Sequence, residues 1–220
     1  MNNAHGPDTK EPIHQRTIYL LRHGAINSPG QGRRYIGWQN LALSDVGRTQ
    51  AHAWADYFSS MSLDGIYCSD LTRCLETARI IAARCSLEPQ ALPELREISL
   101  GEWEGRRFDA VRAADPHEFQ RRGEQIAEHR PPGGESFNDL QHRVWPVFTK
   151  LASGAPQAIL LVTHAGVIRV LLCRLLGMPL KNLFRIGLAY GTLSIVDFAH
   201  REYRVQAVNI PPRTPGIGEK

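Results

Sequence analysis

The chain has 220 residues, 42% hydrophobic and 22% charged, with a net charge of +4 and a pI near 9. That composition fits a folded globular protein with one sizeable core. It lacks any apolar run near the ~20 residues that span a bilayer, and its polar start does not read as a signal peptide, so a cytoplasmic protein without a membrane partner is expected.

The basic residues are scattered, apart from Arg33-Arg34, Arg106-Arg107 and Arg121-Arg122. No aromatic residues alternate with them as a single-strand-binding surface requires, so nucleic acid is not an expected partner. An anionic small substrate is a better use for the charge. Cys68, Cys74, Cys85 and Cys173 form no C-x-x-C pair and show no metal spacing; they read as reduced thiols.

Residues 1–15 are polar and without period, and 211–220 carry three prolines and two glycines. Both read as disordered or flexible tails around a single domain at 16–210. Thr17 to Leu21 is a short apolar run with the character of a strand buried on both faces. It stops at Arg22-His23-Gly24, a polar pair that belongs where a strand leaves its sheet, followed by a residue that lets backbone or ligand come close. A Gly- and Pro-rich loop follows to Asn40. Ser44-Asp45 then offers an N-cap for a helix over about Val46 to Ser59, with Val46, Gln50, Ala53, Trp54 and Tyr57 near one face.

Leu63 to Cys68 predicts a second strand, and Ser69-Asp70 a cap for the helix carrying Arg73, Thr77 and Ile80. Ala91 to Glu94 is a short strand or extended link, and Leu95 to Gly105 a functional loop. A helix over 108–123 should break near Pro116, and another from Ser136 or Asn138 to Leu151 should kink or break at Pro146. Ala158 to Thr163 is an apolar strand like the first, followed by His164-Ala165-Gly166 and an apolar helix. Leu193 to Phe198 and Tyr203 to Val208 read as antiparallel strands joined at His200-Arg201. The alternation of strands and helices predicts one α/β domain with a mainly parallel sheet.

Two parallel-type strands thus end alike, in Arg22-His23-Gly24 and in Thr163-His164-Ala165-Gly166. In one parallel sheet both histidines emerge at the same edge, where ligands bind. Arg73 lies in the first turn of a helix that starts at that edge. A helix N-terminus does not favour a cation, but a bound phosphate pairs with both the guanidinium and the backbone N–H groups.

Leu21-Arg22-His23-Gly24, Ser69-x-x-x-Arg73-x-x-x-Thr77-Ala78, Glu94-Leu95-Arg96-Glu97 with Gly101-Glu102-Trp103-Glu104-Gly105, Gly133-Gly134-Glu135-Ser136 and Thr163-His164-Ala165-Gly166 occur in this order. Together they resemble the histidine phosphatase (phosphoglycerate mutase-like) superfamily. Chain length and the Leu43 to Ala51 stretch look most like its α-ribazole phosphatase and small broad-specificity phosphatase branch. The resemblance implies a three-layer α/β/α fold with a mainly parallel sheet. It also implies a phosphomonoester hydrolase acting through a phosphohistidine, with a small phosphorylated substrate such as α-ribazole 5′-phosphate. His23 would be the nucleophile and Glu97 the acid and later base, covered by Trp103 or Ile98. Arg22, Arg73 and His164 would bind phosphate, with a further donor in the Ala165 N–H. The family often has a polar residue where this chain has Pro29, and Asn27 is the nearby candidate for that phosphate contact. The mechanism requires no metal and no cofactor.

Trp38 to Asn40 and His129-Arg130 would meet the leaving group, and Tyr35 or Trp38 would either stack on a nucleoside or pack in the core. The stretch 105–132 would be the cover, its arginines solvated or turned to a second acidic group. Alternatives are mutase-type phosphoryl transfer, action on phosphohistidine proteins, and a non-catalytic scaffold that binds phosphorylated ligands.

Overall fold

The computed structural model describes residues 16–28, 30–154 and 157–213; the expected tail 1–15, residues 214–220 of the closing run, and Pro29 lie outside the described residues. Six strands form one sheet: β1 (Arg16–Arg22), β2 (Gly65–Cys68), β3 (Gln90–Ala91), β4 (Ala158–Thr163), β5 (Leu193–Ala199) and β6 (Glu202–Ile210). Their spatial order is β3-β2-β4-β1-β5-β6. The first four strands in that order run parallel, and β5 runs antiparallel to both β1 and β6. The β5–β6 turn places His200 and Arg201 at φ 52° and 63°, the left-handed pair that a two-residue hairpin needs.

The helices are α1 (Asp45–Ser59), α2 (Thr72–Cys85), α3 (Phe108–Ala114), α4 (Pro116–Glu124), α5 (Phe137–Ala152) and α6 (Ala165–Leu175). Alternation along the central strands divides the core into two layers. Tyr19, Leu21, Leu160 and Val162 face α1 and α2, with Trp54, Phe58 and Ile81. Ile18, Leu20, Ile159 and Leu161 face α5 and α6, with Leu140, Phe148 and Leu171. The sheet is therefore apolar on both faces, as its unbroken apolar runs require. Among the described residues, no helix is long and apolar enough to cross a membrane.

Two local expectations need correction, and a third is narrowed. The inner face of α1 is Gly47, Ala51, Trp54, Ala55 and Phe58, one position on from the expected stripe, and Val46 is exposed. The reason is a close backbone approach: a Cβ on Gly47 would lie 2.1 Å from the Ala25 carbonyl oxygen, and one on Gly24 would lie 2.4 Å from that of Gly47. Gly24 thus serves this contact with α1. The cap of α2 is Leu71, which makes no side-chain bond. The Asn40 side chain accepts from Thr72 N instead, at 2.7 Å, while Asp70 pairs with Arg96. Finally, of the two outcomes expected at Pro146, the break does not occur: α5 is one helix through it, started by a Ser136–Asp139 capping box.

Candidate active site

Register brings the two histidines together. Arg22 lies opposite Thr163 across the β1–β4 pairing, so the next residue on each strand is a histidine at the sheet edge. His23 N donates to the Thr163 carbonyl at 2.9 Å, and the two rings meet edge to face, 5.1 Å between centroids. Both are buried. His23 Nδ1 is 2.8 Å from the Gly24 carbonyl, an oxygen that can only accept. That places the proton on Nδ1 and leaves a lone pair on Nε2. Burial, then the charges of Arg73 and Arg22, hold the His23 imidazole well below its usual pKa, so it is neutral. The same causes, with His23 itself, act on His164.

Arg73 is 1% exposed and aims its Nε at His23 Nε2, 3.2 Å away. Its two terminal nitrogens donate to the carbonyls of Gln39 (2.7 Å) and Gly37 (2.6 Å). The loop after β1 therefore fixes the guanidinium from behind. Thr77, one turn further along α2, donates to the Arg73 carbonyl at 2.8 Å and accepts from Gly24 N at 3.2 Å. His164 Nε2 lies 2.9 Å from Ser69 Oγ and 3.4 Å from the Cys74 thiol. Arg22 donates to the Leu188 carbonyl at 2.6 Å and stacks 3.7 Å above the Tyr190 ring. Its Nε is buried with no hydrogen-bond partner, and burial lowers its pKa.

Glu97 sits at the N-terminus of α6. Its carboxylate accepts from Gly166 N (3.0 Å) and from Ile98 N (2.9 Å). The two N–H groups thus fix the orientation of the carboxyl group. A Cβ on Gly166 would lie 2.1 Å from Glu97 Oε1, so only glycine admits this contact.

Over Arg22, Glu97, Gly166 and Tyr190 opens a cavity of about 560 Å³. Phe108, Phe119, Phe137 and Phe184 line it, and so do Arg33, Arg34, Arg122 and Arg169. Among the described residues of its wall, Glu97 is the only acidic one. Arg122 is 8% exposed, stacks on Tyr35, Trp103 and Phe137, and has no hydrogen-bond partner for its buried Nη1. Burial lowers its pKa.

The structure gathers His23, His164, Arg22 and Arg73 at the sheet edge, with Glu97 above α6. Asn27 is exposed and outside the cavity wall. His129 and Arg130 do not line the cavity either: His129 bonds Glu118 beneath Trp103, and Arg130 pairs with Asp139 on the surface. Trp103 stacks on Tyr35 and His129, and Ile98 alone of the two expected covers lines the cavity with Glu97. Tyr35 is buried, packed on Phe108 at 4.0 Å, and still lines the cavity, whereas Trp38 is exposed and does not line it. Ser69, Thr77 and Tyr190 carry structural weight that the sequence reading did not assign. The first two stood in its motifs, and Tyr190 had only its place before Gly191 and β5 as a signal. Among the described residues no cluster of three or more His, Cys, Asp or Glu is placed to hold a metal ion.

A mainly parallel sheet whose two central strands each deliver a histidine to one edge, with arginines and a carboxylate around them, suits phosphoryl transfer, which needs donors placed around the phosphate oxygens. The chain matches the histidine phosphatase superfamily (branch 1) over residues 18–211 and belongs to that family. It is a phosphatase. Among its relatives, the adenosylcobalamin/α-ribazole phosphatase of Escherichia coli is 28% identical over 87% of this chain and 95% of its own. A probable phosphoglycerate mutase of Yersinia pestis is 34% identical over 82% and 84%. The mycobacterial glucosyl-3-phosphoglycerate phosphatase superposes with a TM-score of 0.80 and 28% identity, covering 89% of this chain and 99% of that one.

Proposed function

We propose that residues 16–210 form one catalytic unit that hydrolyses small-molecule phosphomonoesters through a phosphohistidine on His23. The observation that carries this reading is the His23 ring itself: buried and neutral, its Nδ1 proton is held by the Gly24 carbonyl, and its Nε2 carries the lone pair, which accepts from Arg73 Nε where a phosphate would sit between them. In the first step Nε2 attacks phosphorus and the bond to the leaving oxygen breaks, that oxygen taking a proton from Glu97. Arg73, Arg22 and His164 offset the charge on the equatorial phosphate oxygens. In the second step water attacks phosphorus, Glu97 takes its proton, the P–N bond breaks and orthophosphate leaves. Asn27 contributes a phosphate contact only if its loop turns inward.

α-Ribazole 5′-phosphate is the candidate substrate that the E. coli relative suggests, and the aromatic wall of the cavity suits its base. Arg122 favours a second reading. An unpartnered guanidinium in that wall suits a phosphorylated acid, as in mutase-type transfer or a phosphoglycerate-derived substrate. Phosphate release from α-ribazole 5′-phosphate, 3-phosphoglycerate and p-nitrophenyl phosphate, with His23→Ala as blank, tests both. Release that depends on His23 supports the hydrolase, and the preferred ester ranks the substrates. Isomerisation of 3-phosphoglycerate without release would replace hydrolysis with mutase chemistry, and release undiminished in His23→Ala would end the proposal.

A further inference from the structure

The Gly133-Gly134-Glu135-Ser136 motif lies outside the phosphate site, yet it bears on it through one side chain. Arg143, on the second turn of α5, forms a two-pronged pair with Glu135, both contacts 2.8 Å. The same guanidinium donates to the carbonyls of Glu94 (2.6 Å), Arg96 (3.1 Å) and Glu97 (3.1 Å). One rigid fork thus grips the backbone of the loop that carries Glu97, at Glu97 and at two carbonyls before it. Glu135 also holds the far side of that loop, accepting from Ser99 N at 2.9 Å and donating its own N–H to the Ser99 carbonyl at 2.9 Å. The Trp38 indole N–H also donates to the Glu97 carbonyl, at 2.7 Å.

The chain invests heavily in these contacts. Gly134 is pressed so closely on the loop that a Cβ would lie 2.8 Å from the Ser99 carbonyl oxygen. The Glu97 main-chain oxygen receives two donors, and neither is needed to complete a helix or a sheet ladder. Helix α5 in turn is tied to α6, whose N-terminus holds the Glu97 carboxylate, by a bond of 2.8 Å from Gln141 to the Val170 carbonyl. The backbone and the carboxylate of Glu97 are therefore referenced to the same two helices.

We propose that Arg143, braced by Glu135 and assisted by Trp38, is a positioning residue for proton delivery: it sets the Glu97 carboxyl in register with His23. This rests on the assignment of Glu97 as the acid. A misplacement of about 1 Å in a proton donor is enough to lower a rate on the order of 10²-fold. The loss depends on how much the leaving group needs the proton. An alkoxide leaves poorly without one, whereas nitrophenolate leaves readily unprotonated.

The test is the rate of phosphoenzyme formation in the first turnover, by rapid quench, for an alkyl phosphate such as glycerol phosphate and for p-nitrophenyl phosphate. The variants are Arg143→Lys, Glu135→Gln and Trp38→Phe; the last removes the indole N–H at an exposed position where folding is not at risk. Each should slow the alkyl ester at least ~10-fold more than the nitrophenyl ester, while Arg130→Ala, which removes a surface ion pair at the start of α5, changes the ratio less than twofold. Glu97→Gln is run beside them. If Glu97→Gln discriminates between the esters and the three variants do not, the positioning role is wrong while the acid assignment stands. If Glu97→Gln slows both esters equally, the acid assignment itself falls. Equal slowing of both esters by Arg143→Lys with a lowered melting temperature would mean a purely structural brace.

Discussion

The sheet edge, the floor of the site, and the α3–α4 roof of the cavity beside it are built on opposite plans. At the floor, His23, Arg73 and His164 are buried and almost every polar atom has a partner, supplied by strand ends and by backbone carbonyls of the 37–39 loop. At the roof, α3 and α4 present mostly exposed residues, the α4 arginine Arg121 pairs on the surface, and one arginine, Arg122, is buried with an idle donor. The difference teaches where each kind of information is stored. Phosphoryl transfer needs donors held still before the reaction, and the sheet edge holds them. Choice among leaving groups needs only a wall of suitable shape and charge, and a pair of short helices provides it.

If this division is right, damage to the floor should strike every substrate and damage to the roof only some. The largest effect is expected at Arg73. Arg73→Gln removes a donor facing His23 and strands the buried carbonyl of Gly37, worth about 1–3 kcal/mol if left unpaired, while the Gln39 carbonyl keeps only Leu41 N. Turnover should fall at least ~10²-fold on all esters, and the urea midpoint should fall with it. A loss confined to one ester would break the comparison. Next comes Gly166→Ala, whose new Cβ must displace the Glu97 carboxylate. Turnover of alkyl phosphates should drop about 10²-fold with phosphate or vanadate affinity little altered, read by inhibition.

Arg122→Met should act at the roof alone. KM for phosphorylated carboxylic acids is expected to rise roughly tenfold, as for one lost charge-assisted pair, with a smaller change for p-nitrophenyl phosphate. The folded state should be no less stable, because a desolvated, unpaired charge is exchanged for a thioether of similar length. Equal effects on both esters would erase the distinction between floor and roof.

The smallest effect is on stability against pH. His23 and His164 have folded pKa values far below the ~6.5 of an unfolded histidine. Below that pH the unfolded chain takes up protons that the folded chain refuses. Their contribution is therefore complete above about pH 6.5 and lost as pH falls through the folded values. Urea midpoints should be flat from pH 8 to 7 and decline below about 6.5; a double variant with both histidines replaced by Gln should show a shallower decline.

Much of the floor was legible because it is written in periodicity and strand ends. The apolar runs at 17–21 and 158–163, each stopping at a histidine, implied a shared edge, and the Arg22–Thr163 register realises it. The hairpin at His200-Arg201 and the break at Pro116 were equally local signals. What escaped was set by contacts distant in sequence. The inner face of α1 follows from the Gly24–Gly47 approach, and the start of α2 from Asn40 across the loop. The grip of Arg143 on the Glu97 loop spans 46 residues and leaves no pattern in the chain. The roof was the least legible. Six arginines in 105–132 look alike in sequence, and only packing against Tyr35, Trp103 and Phe137 singles out Arg122.

The central claim, covalent catalysis by His23, is tested most directly by trapping the phosphoenzyme. The protein is mixed with p-nitrophenyl phosphate, quenched in base, where phosphohistidine survives, and digested for mass spectrometry. The account predicts one phosphate per chain, on the peptide bearing His23, formed at least as fast as turnover and absent from His23→Ala. A phosphate on any other residue, or steady turnover with no phosphorylated peptide at any time, would contradict it.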